Sequence, residues 1–343
     1  MKIGLVIQGP FESYGKTGKT ISYSSLRIAR EKDAMKHYDC IENVQRLCRE
    51  SKDLFFKTVI STWKDEKYLD VAFEADEVIY LENEDEFTAK IGVLSGPRQW
   101  NNVYKQAKTS YEGISKLNDF GCDYIVKIRT DMWWDLNKLH EIALQALKEN
   151  KVIGTNELRN GTRFLEMDDM ILGAKAQTMN NWFESLIEWK FHWGSHDAFM
   201  RSLIWTLYGD SPSLPLKDFY TVVSNDASDT LFEKAKDTWE NRFLVVPNML
   251  WEDATYRGEV VESGYYDFIS QTPQMNPNEG VVDVSFFMKN QIGNNWIRLL
   301  LKGYYRNFIY FLIQVKLRGK GYLKPIMIFR FKKRIKKIIL GKD

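Results

Sequence analysis

The chain is poor in cysteine: Cys40, Cys48 and Cys122 are the only three in 343 residues. An odd, widely spaced set makes no disulfide framework and no zinc-ligand spacing. A reducing cytoplasm is the compartment this implies. No apolar run reaches the ~20 residues needed to span a bilayer. The first nine residues hold a five-residue apolar run, which predicts a first strand and not a secretory core. The polar stretch 11–32 lacks the spacing of a phosphate-binding P-loop. Ser195 lacks the flanking glycines of a nucleophile elbow, which argues against a serine nucleophile. Acids are nearly absent from the C-terminal stretch. Residues 289–343 hold 15 Lys and Arg against Asp343 alone, leaving 33 bases and 45 acids elsewhere, so the net charge of +2 conceals a strong asymmetry. A tail of that kind seeks an anionic partner.

Apolar residues make up 44% of the chain, enough for a substantial core, and aromatic residues 14%, with 11 Trp and 17 Tyr. Aromatic rings form platforms for sugar faces, and they also fill cores. The N-terminal pattern alternates strand and helix. Lys2 to Ile7 reads as a strand entering Gln8-Gly9-Pro10. Ile41 to Leu54 has a helical period, and Phe55 to Ile60 is a strand ending in Ser61-Thr62-Trp63. Val71 to Ala75 reads as a short helix, Glu77 to Leu81 as a strand. Val103, Ala107, Tyr111, Ile114 and Leu117 form one helical stripe, with Gly121 as its C-cap. This order predicts an α/β fold with a mostly parallel, Rossmann-type sheet and crossover helices. Further on, Leu136 to Leu147 and Gln177 to Trp193 are predicted helices, and Val152-Ile153 and Phe243 to Val246 predicted strands. Residues 254–290 read as a covering segment.

The chemistry concentrates after the run Tyr124 to Ile128, whose apolar pattern only Lys127 interrupts. Arg129, Thr130, Asp131 and Asp135 follow it. Ligands of open α/β sheets bind outside the carboxyl ends of strands. A carboxylate there can hold a divalent cation on a diphosphate or face a sugar. Asp131 could equally cap the next helix. Arg98, near a helix start, can clamp phosphates with its planar fork or simply make a surface ion pair. Asp168-Asp169 could supply a general base or form a solvated turn, and Ser195-His196-Asp197 brings a further acid. In the tail, Ile328, Phe331, Ile335, Ile338 and Ile339 share one face of a helix whose remainder is basic. Such a helix lies on a membrane surface without spanning it. A surface that tracks nucleic-acid phosphates needs no isoleucines, so membrane is preferred over nucleic acid.

Ile7-Gln8-Gly9-Pro10, Ile60-Ser61-Thr62-Trp63, Arg98-Gln99 and above all Lys127-Ile128-Arg129-Thr130-Asp131 resemble, in order over roughly the first 135 residues, the WavE lipopolysaccharide-synthesis family. The resemblance implies a GT-A-like glycosyltransferase in bacterial surface-glycan synthesis (lipopolysaccharide, capsule or O-antigen). It would use a nucleotide-sugar donor and a glycan or lipid-linked oligosaccharide acceptor. By that analogy Gln8, Gly9, Pro10, Ser61 and Thr62 line the nucleoside site, and Arg98 and Gln99 face the diphosphate or sugar. Asp131 matches the last acid of the Asp-x-Asp motif that holds Mn²⁺ or Mg²⁺, with Asp135 as a second ligand. Arg129 stands where that motif's first Asp would be. A guanidinium can itself neutralise diphosphate charge, so metal-dependent and metal-free catalysis both stay open. Asp169, then Asp168, then Asp197 are the candidate acceptor bases. The implied layout is a transferase domain over 1–288, with a donor half 1–135 and an acceptor half 136–288. A basic tail over 289–343 would hold the protein at the inner face of the cell membrane. Two alternatives are a sugar-phosphate or nucleotidyl transferase on the same scaffold, and a non-catalytic glycan-binding subunit.

Overall fold

The computed structural model describes residues 1–22, 31, 33–82, 97–155, 167–188, 195–209, 234, 237–262, 275–276 and 281–282. The chain opens with β1 (Ile3–Gln8), every residue of which is buried. β2 (Glu12–Gly15) and β3 (Lys36–Asp39) pair antiparallel. There follow α1 (Ile41–Ser51), β4 (Lys57–Trp63), β5 (Glu77–Leu81), α2 (Pro97–Asp119), β6 (Tyr124–Arg129), β7 (Met132–Trp133) and α3 (Leu136–Glu149). Then come β8 (Val152–Gly154), β9 (Leu172–Lys175), α4 (Ala176–Glu188), α5 (Ser195–Tyr208), β10 (Phe243–Val245) and α6 (Asn248–Trp251). Last are the short strands β11 (Thr255–Tyr256), β12 (Glu259–Val260), β13 (Met275–Asn276) and β14 (Val281–Val282).

Seven strands form the central sheet in the order β5-β4-β1-β6-β9-β8-β10. β9 runs against both its neighbours, and every other pairing is parallel. This is the α/β, mostly parallel layout that the alternation of strand and helix predicts. β1 is continuously apolar because both its edges pair and both its faces are covered. One face packs under α2, α4 and α5 through Val6, Val59, Ile125, Ile114 and Trp182. The other packs on α1 and α3 through Leu5, Ile60, Val126, Leu47 and Leu139. Gly113 lets α2 lie close on the sheet: a Cβ there would fall 2.7 Å from Val6 Cγ1. Each buried aliphatic side chain contributes about 1.5–3 kcal/mol relative to exposure. The two halves of the chain share this one sheet, with β8, β9 and β10 extending the edge that β6 leaves.

Several elements differ from the sequence pattern. The polar stretch 11–32, which has no strand pattern, supplies β2 at Glu12–Gly15. Val71 to Ala75 is irregular, and a 3₁₀ turn lies just before it at Glu66–Tyr68. Val71, Phe73 and Ala75 pack partly buried against the core, and a segment of five residues is too short to sustain a helix nucleus by itself. The described parts of the expected cover are a tight hairpin, β11 and β12, that joins β7 in a three-stranded sheet, and the antiparallel pair β13 and β14. A π-turn spans Thr238–Arg242 just before β10. The tail 289–343 lies outside the described residues. Among the described residues no helix is long and apolar enough to cross a membrane.

Candidate active site

Strand pleating puts alternate residues on one face. Val6 and Gln8 of β1, Val59 and Ser61 of β4, and Ile125, Lys127 and Arg129 of β6 therefore all face α2. The last register row brings Gln8 beside Ser61 on one side and beside Arg129 on the other. The lower part of this face is apolar, and its carboxyl end is polar. α2 answers with a polar row of its own. Thr109 Oγ1 accepts from Gln8 Nε2 at 2.8 Å, and Gln106 donates to the Asp169 carboxylate. Ser61 Oγ is fully buried with no hydrogen-bond partner among the described residues. Thr62, the next residue, points to the opposite face and is also buried. The two hydroxyls expected to line one nucleoside site thus diverge across the sheet.

Gly9 breaks the pleat with φ of +139°, and a Cβ there would fall 2.6 Å from Thr130 Oγ1. That close approach lets the chain after β1 cross the end of β6. Thr130 N donates to Gln8 O at 3.0 Å, and Thr130 Oγ1 to Pro10 O at 2.8 Å. Asn43 of α1 fixes the same turn through Thr130 O and Met132 O.

Asp131 sits on this turn, 3% exposed. Arg129 grips it with two bonds, Nε to Oδ1 at 2.9 Å and Nη2 to Oδ2 at 3.0 Å. Arg257 Nη2 meets Oδ2 at 3.0 Å, and Ser13 Oγ donates to it at 2.8 Å. Burial alone would push this carboxyl up. Arg129 first, then Arg257 and Ser13, outweigh burial and hold it below the usual carboxylate range. Arg129 is likewise held firmly protonated: burial opposes its charge, but Asp131 and Asp169 prevail. Arg257 also donates to Ser13 Oγ at 2.7 Å and to Lys16 O at 2.6 Å, and its N–H donates to Asp131 O at 2.8 Å. Its φ of +50°, followed by Gly258 at +77°, makes the tight turn between β11 and β12. One guanidinium thus ties that turn, the β2 strand and Asp131 together. The Tyr256 ring lies beneath both cations, with its centroid 5.7 Å from Arg129 and 4.4 Å from Arg257.

Asp169 completes the group. Its Oδ2 lies 3.4 Å from Arg129 Nη1. Asp168, 2% exposed, turns inward. Its Oδ1 accepts from Asp169 N at 2.7 Å, and its own N–H donates to Thr155 O at 3.1 Å. Of the two adjacent acids, Asp169 therefore faces the guanidinium and Asp168 shapes the turn.

Asp135 is the N-cap of α3, accepting from Asn137 N at 3.0 Å and Lys138 N at 3.2 Å. The capping role that the sequence leaves open for Asp131 belongs to Asp135. Both oxygens of Asp131 are already committed to guanidinium groups, and Asp135 to backbone N–H groups and Lys138. Among the described residues no cluster of three or more His, Cys, Asp or Glu stands ready for a metal. This donor set does not fit a Mn²⁺ or Mg²⁺ ion held by Asp131 and Asp135. Arg98 and Gln99 lie in the first turn of α2. Gln106, which reaches Asp169, is about 12 Å further along the axis at 1.5 Å per residue. Asp197 lies in the first turn of α5. The side chains of Arg98, Gln99 and Asp197 are outside the described residues. Sequence patterning missed Ser13, Gln106, Tyr256 and Arg257.

No family model matches the chain, and no curated protein matches it. Among solved structures the chain is similar to the galactosyltransferase LgtC in complex with donor and acceptor sugar analogs. Identity there is 10%, with 69% of this chain and 95% of that one covered and a TM-score of 0.31. An active-site mutant of LgtC matches at 10% identity, with 79% and 94% covered and a TM-score of 0.33. A mannose-1-phosphate geranyltransferase from Thermus thermophilus matches at 10% identity, with 58% and 67% covered and a TM-score of 0.28.

Proposed function

We propose that the protein is a glycosyltransferase that takes a sugar from a nucleotide diphosphate donor and places it on a glycan hydroxyl. The observation that carries this is the cluster at the carboxyl end of β6. A guanidinium, Arg129, lies between one fully engaged carboxylate, Asp131, and one acid on the neighbouring turn, Asp169. Arg129 is the most exposed member of the cluster, its side chain 23% accessible. It is the group a diphosphate would meet first at the end of the sheet. The ordered resemblance of the first 135 residues to the WavE family supports the same reading and suggests a bacterial surface glycan as acceptor.

In the proposed transfer the acceptor oxygen attacks the anomeric carbon as the bond to the diphosphate breaks. Asp169 takes the acceptor proton. Arg129 faces the charge that develops on the departing diphosphate, the kind of fixed electrostatic partner that lowers such barriers most. In this reading Gly9 and Pro10 form the floor over which the nucleoside lies. Asp131 anchors Arg129 and is not itself a ligand to a metal. Purified protein given sugar nucleotides and a lipid-linked oligosaccharide should release free nucleoside diphosphate in proportion to glycan lengthened. Glycan uptake with no nucleotide released would refute transfer and identify a binding subunit.

The tail supports a place at a membrane. Each basic residue near an anionic leaflet contributes about 1 kcal/mol, weakened by salt, and residues 289–343 carry 15 of them. Holding the enzyme beside a lipid-linked acceptor raises its effective concentration. Full-length protein should sediment with anionic liposomes at low salt, and protein lacking 290–343 should not. Equal sedimentation of the two forms would remove the tail from the account.

A further inference from the structure

Lys127 is wholly buried, and no step of the proposed transfer uses it. It lies on β6 two residues before Arg129 and shares its face. Val6 of β1 and Leu172 of β9 flank it in register. A buried ammonium costs several kcal/mol unless well paired, and an apolar side chain of similar size would pack there without that cost. Space filling alone therefore does not account for a lysine. Its amine donates to the backbone carbonyl of Asp169 at 2.6 Å. That bond reaches from the sheet to the turn carrying both acids, directly beneath the one that meets Arg129. The charged groups around the amine are Asp169, Arg129, Asp168 and Asp131. From α2, Gln106 donates to the Asp169 carboxylate, Thr109 accepts from Gln8, and the charged Lys105 lies over the Trp63 ring at the end of β4.

We propose that Lys127 is a positioning residue that holds the Asp168-Asp169 turn so that the Asp169 carboxylate faces Arg129, with its own charge coupled to that carboxylate. This rests on the reading of Asp169 as the acceptor base. Burial lowers the amine to about 8, while Asp169 opposes that fall most strongly and Arg129 adds to it. The amine is therefore still mostly protonated at neutral pH, and Asp169 is the strongest of the groups that keep it charged.

The test follows the lysine ε-carbon signals of the full-length protein against pH, in wild type and in Asp169→Asn, with Lys127→Met assigning the resonance. The asparagine variant keeps the carbonyl that accepts from Nζ and removes only the carboxylate charge. Expected is a Lys127 signal titrating well below the other lysines and moving lower still in Asp169→Asn. A signal that does not move overturns the coupling. In turnover, Lys127→Met should lower kcat roughly 10- to 100-fold, the scale of a misplaced catalytic group. The KM for the donor should change little, and the acidic limb of the kcat profile should shift to higher pH. An unmoved limb or an unchanged kcat overturns the positioning role. If no donor and acceptor turn over at all, the transferase reading fails by itself, and the lysine titration still decides the coupling.

Discussion

Replacing Asp131 with alanine should destabilise the protein by about 3–5 kcal/mol, the usual cost of breaking a buried ion pair from one side. The loss is large because two cations depend on one carboxylate. Arg129 binds it with two bonds, and Arg257 binds it while also gripping Ser13 and Lys16. Without Asp131, Arg257 loses its carboxylate partner, and Arg129 keeps only the longer contact to Asp169 at 3.4 Å. Against a typical total of about 5–15 kcal/mol, urea melts should show a clear drop in midpoint. The pH dependence has a defined sign. The Asp131 carboxyl is held below its ordinary value. Its contribution is therefore present above the unfolded pKa of about 3.9 and is lost as pH falls through the lower folded value. Wild type should lose stability more steeply than Asp131→Asn below about pH 4. Equal acid sensitivity in the two proteins would contradict the central place given to this carboxylate.

Asp169→Asn should lower kcat by roughly 10²–10⁴-fold, the range that a general base contributes. The donor KM should change little, because Arg129 keeps its two bonds to Asp131. Asp168→Asn should behave differently. Its carboxylate accepts from the Asp169 N–H and is almost wholly inaccessible. That change should lower the melting temperature more than it lowers kcat. Full activity in Asp169→Asn, measured as nucleoside diphosphate release, would move the base to Asp168 or Asp197.

The strand and helix order was legible because its signals are local. β1 and β6 are apolar runs, and α2 carries an unbroken helical stripe. Lys127-Ile128-Arg129-Thr130-Asp131 falls at the carboxyl end of β6, where the apolar run stops in a burst of polar residues. What stayed hidden depends on distant contacts or on strand geometry. Arg257 reaches Asp131 only because residues 254–262 fold back as a hairpin against β7. Its left-handed backbone conformation has no clear signal outside glycine. Ser61 and Thr62 read as one polar pair, yet the pleat sends them to opposite faces. Asp131 reads as the metal-motif acid with Asp135 as a second ligand, but an N-cap is decided by which backbone N–H groups a side chain meets. Asp135 meets two of them, and Asp131 meets two guanidinium groups. Lys127 was visible only as an interruption in the strand. A charged residue at a both-faces-buried position is a signal in its own right, since its cost requires a partner.

Nucleotide binding by calorimetry decides whether a guanidinium anchors the donor. UDP, GDP, CDP and CMP would each be titrated into the full-length protein, once with Mn²⁺ and once with EDTA. The expected result is that one nucleotide binds with similar affinity in both, and that Arg129→Met abolishes the heat. Binding that disappears in EDTA would contradict the account, because a metal and not Arg129 would then hold the diphosphate. Absence of binding for all four would contradict the transferase reading itself.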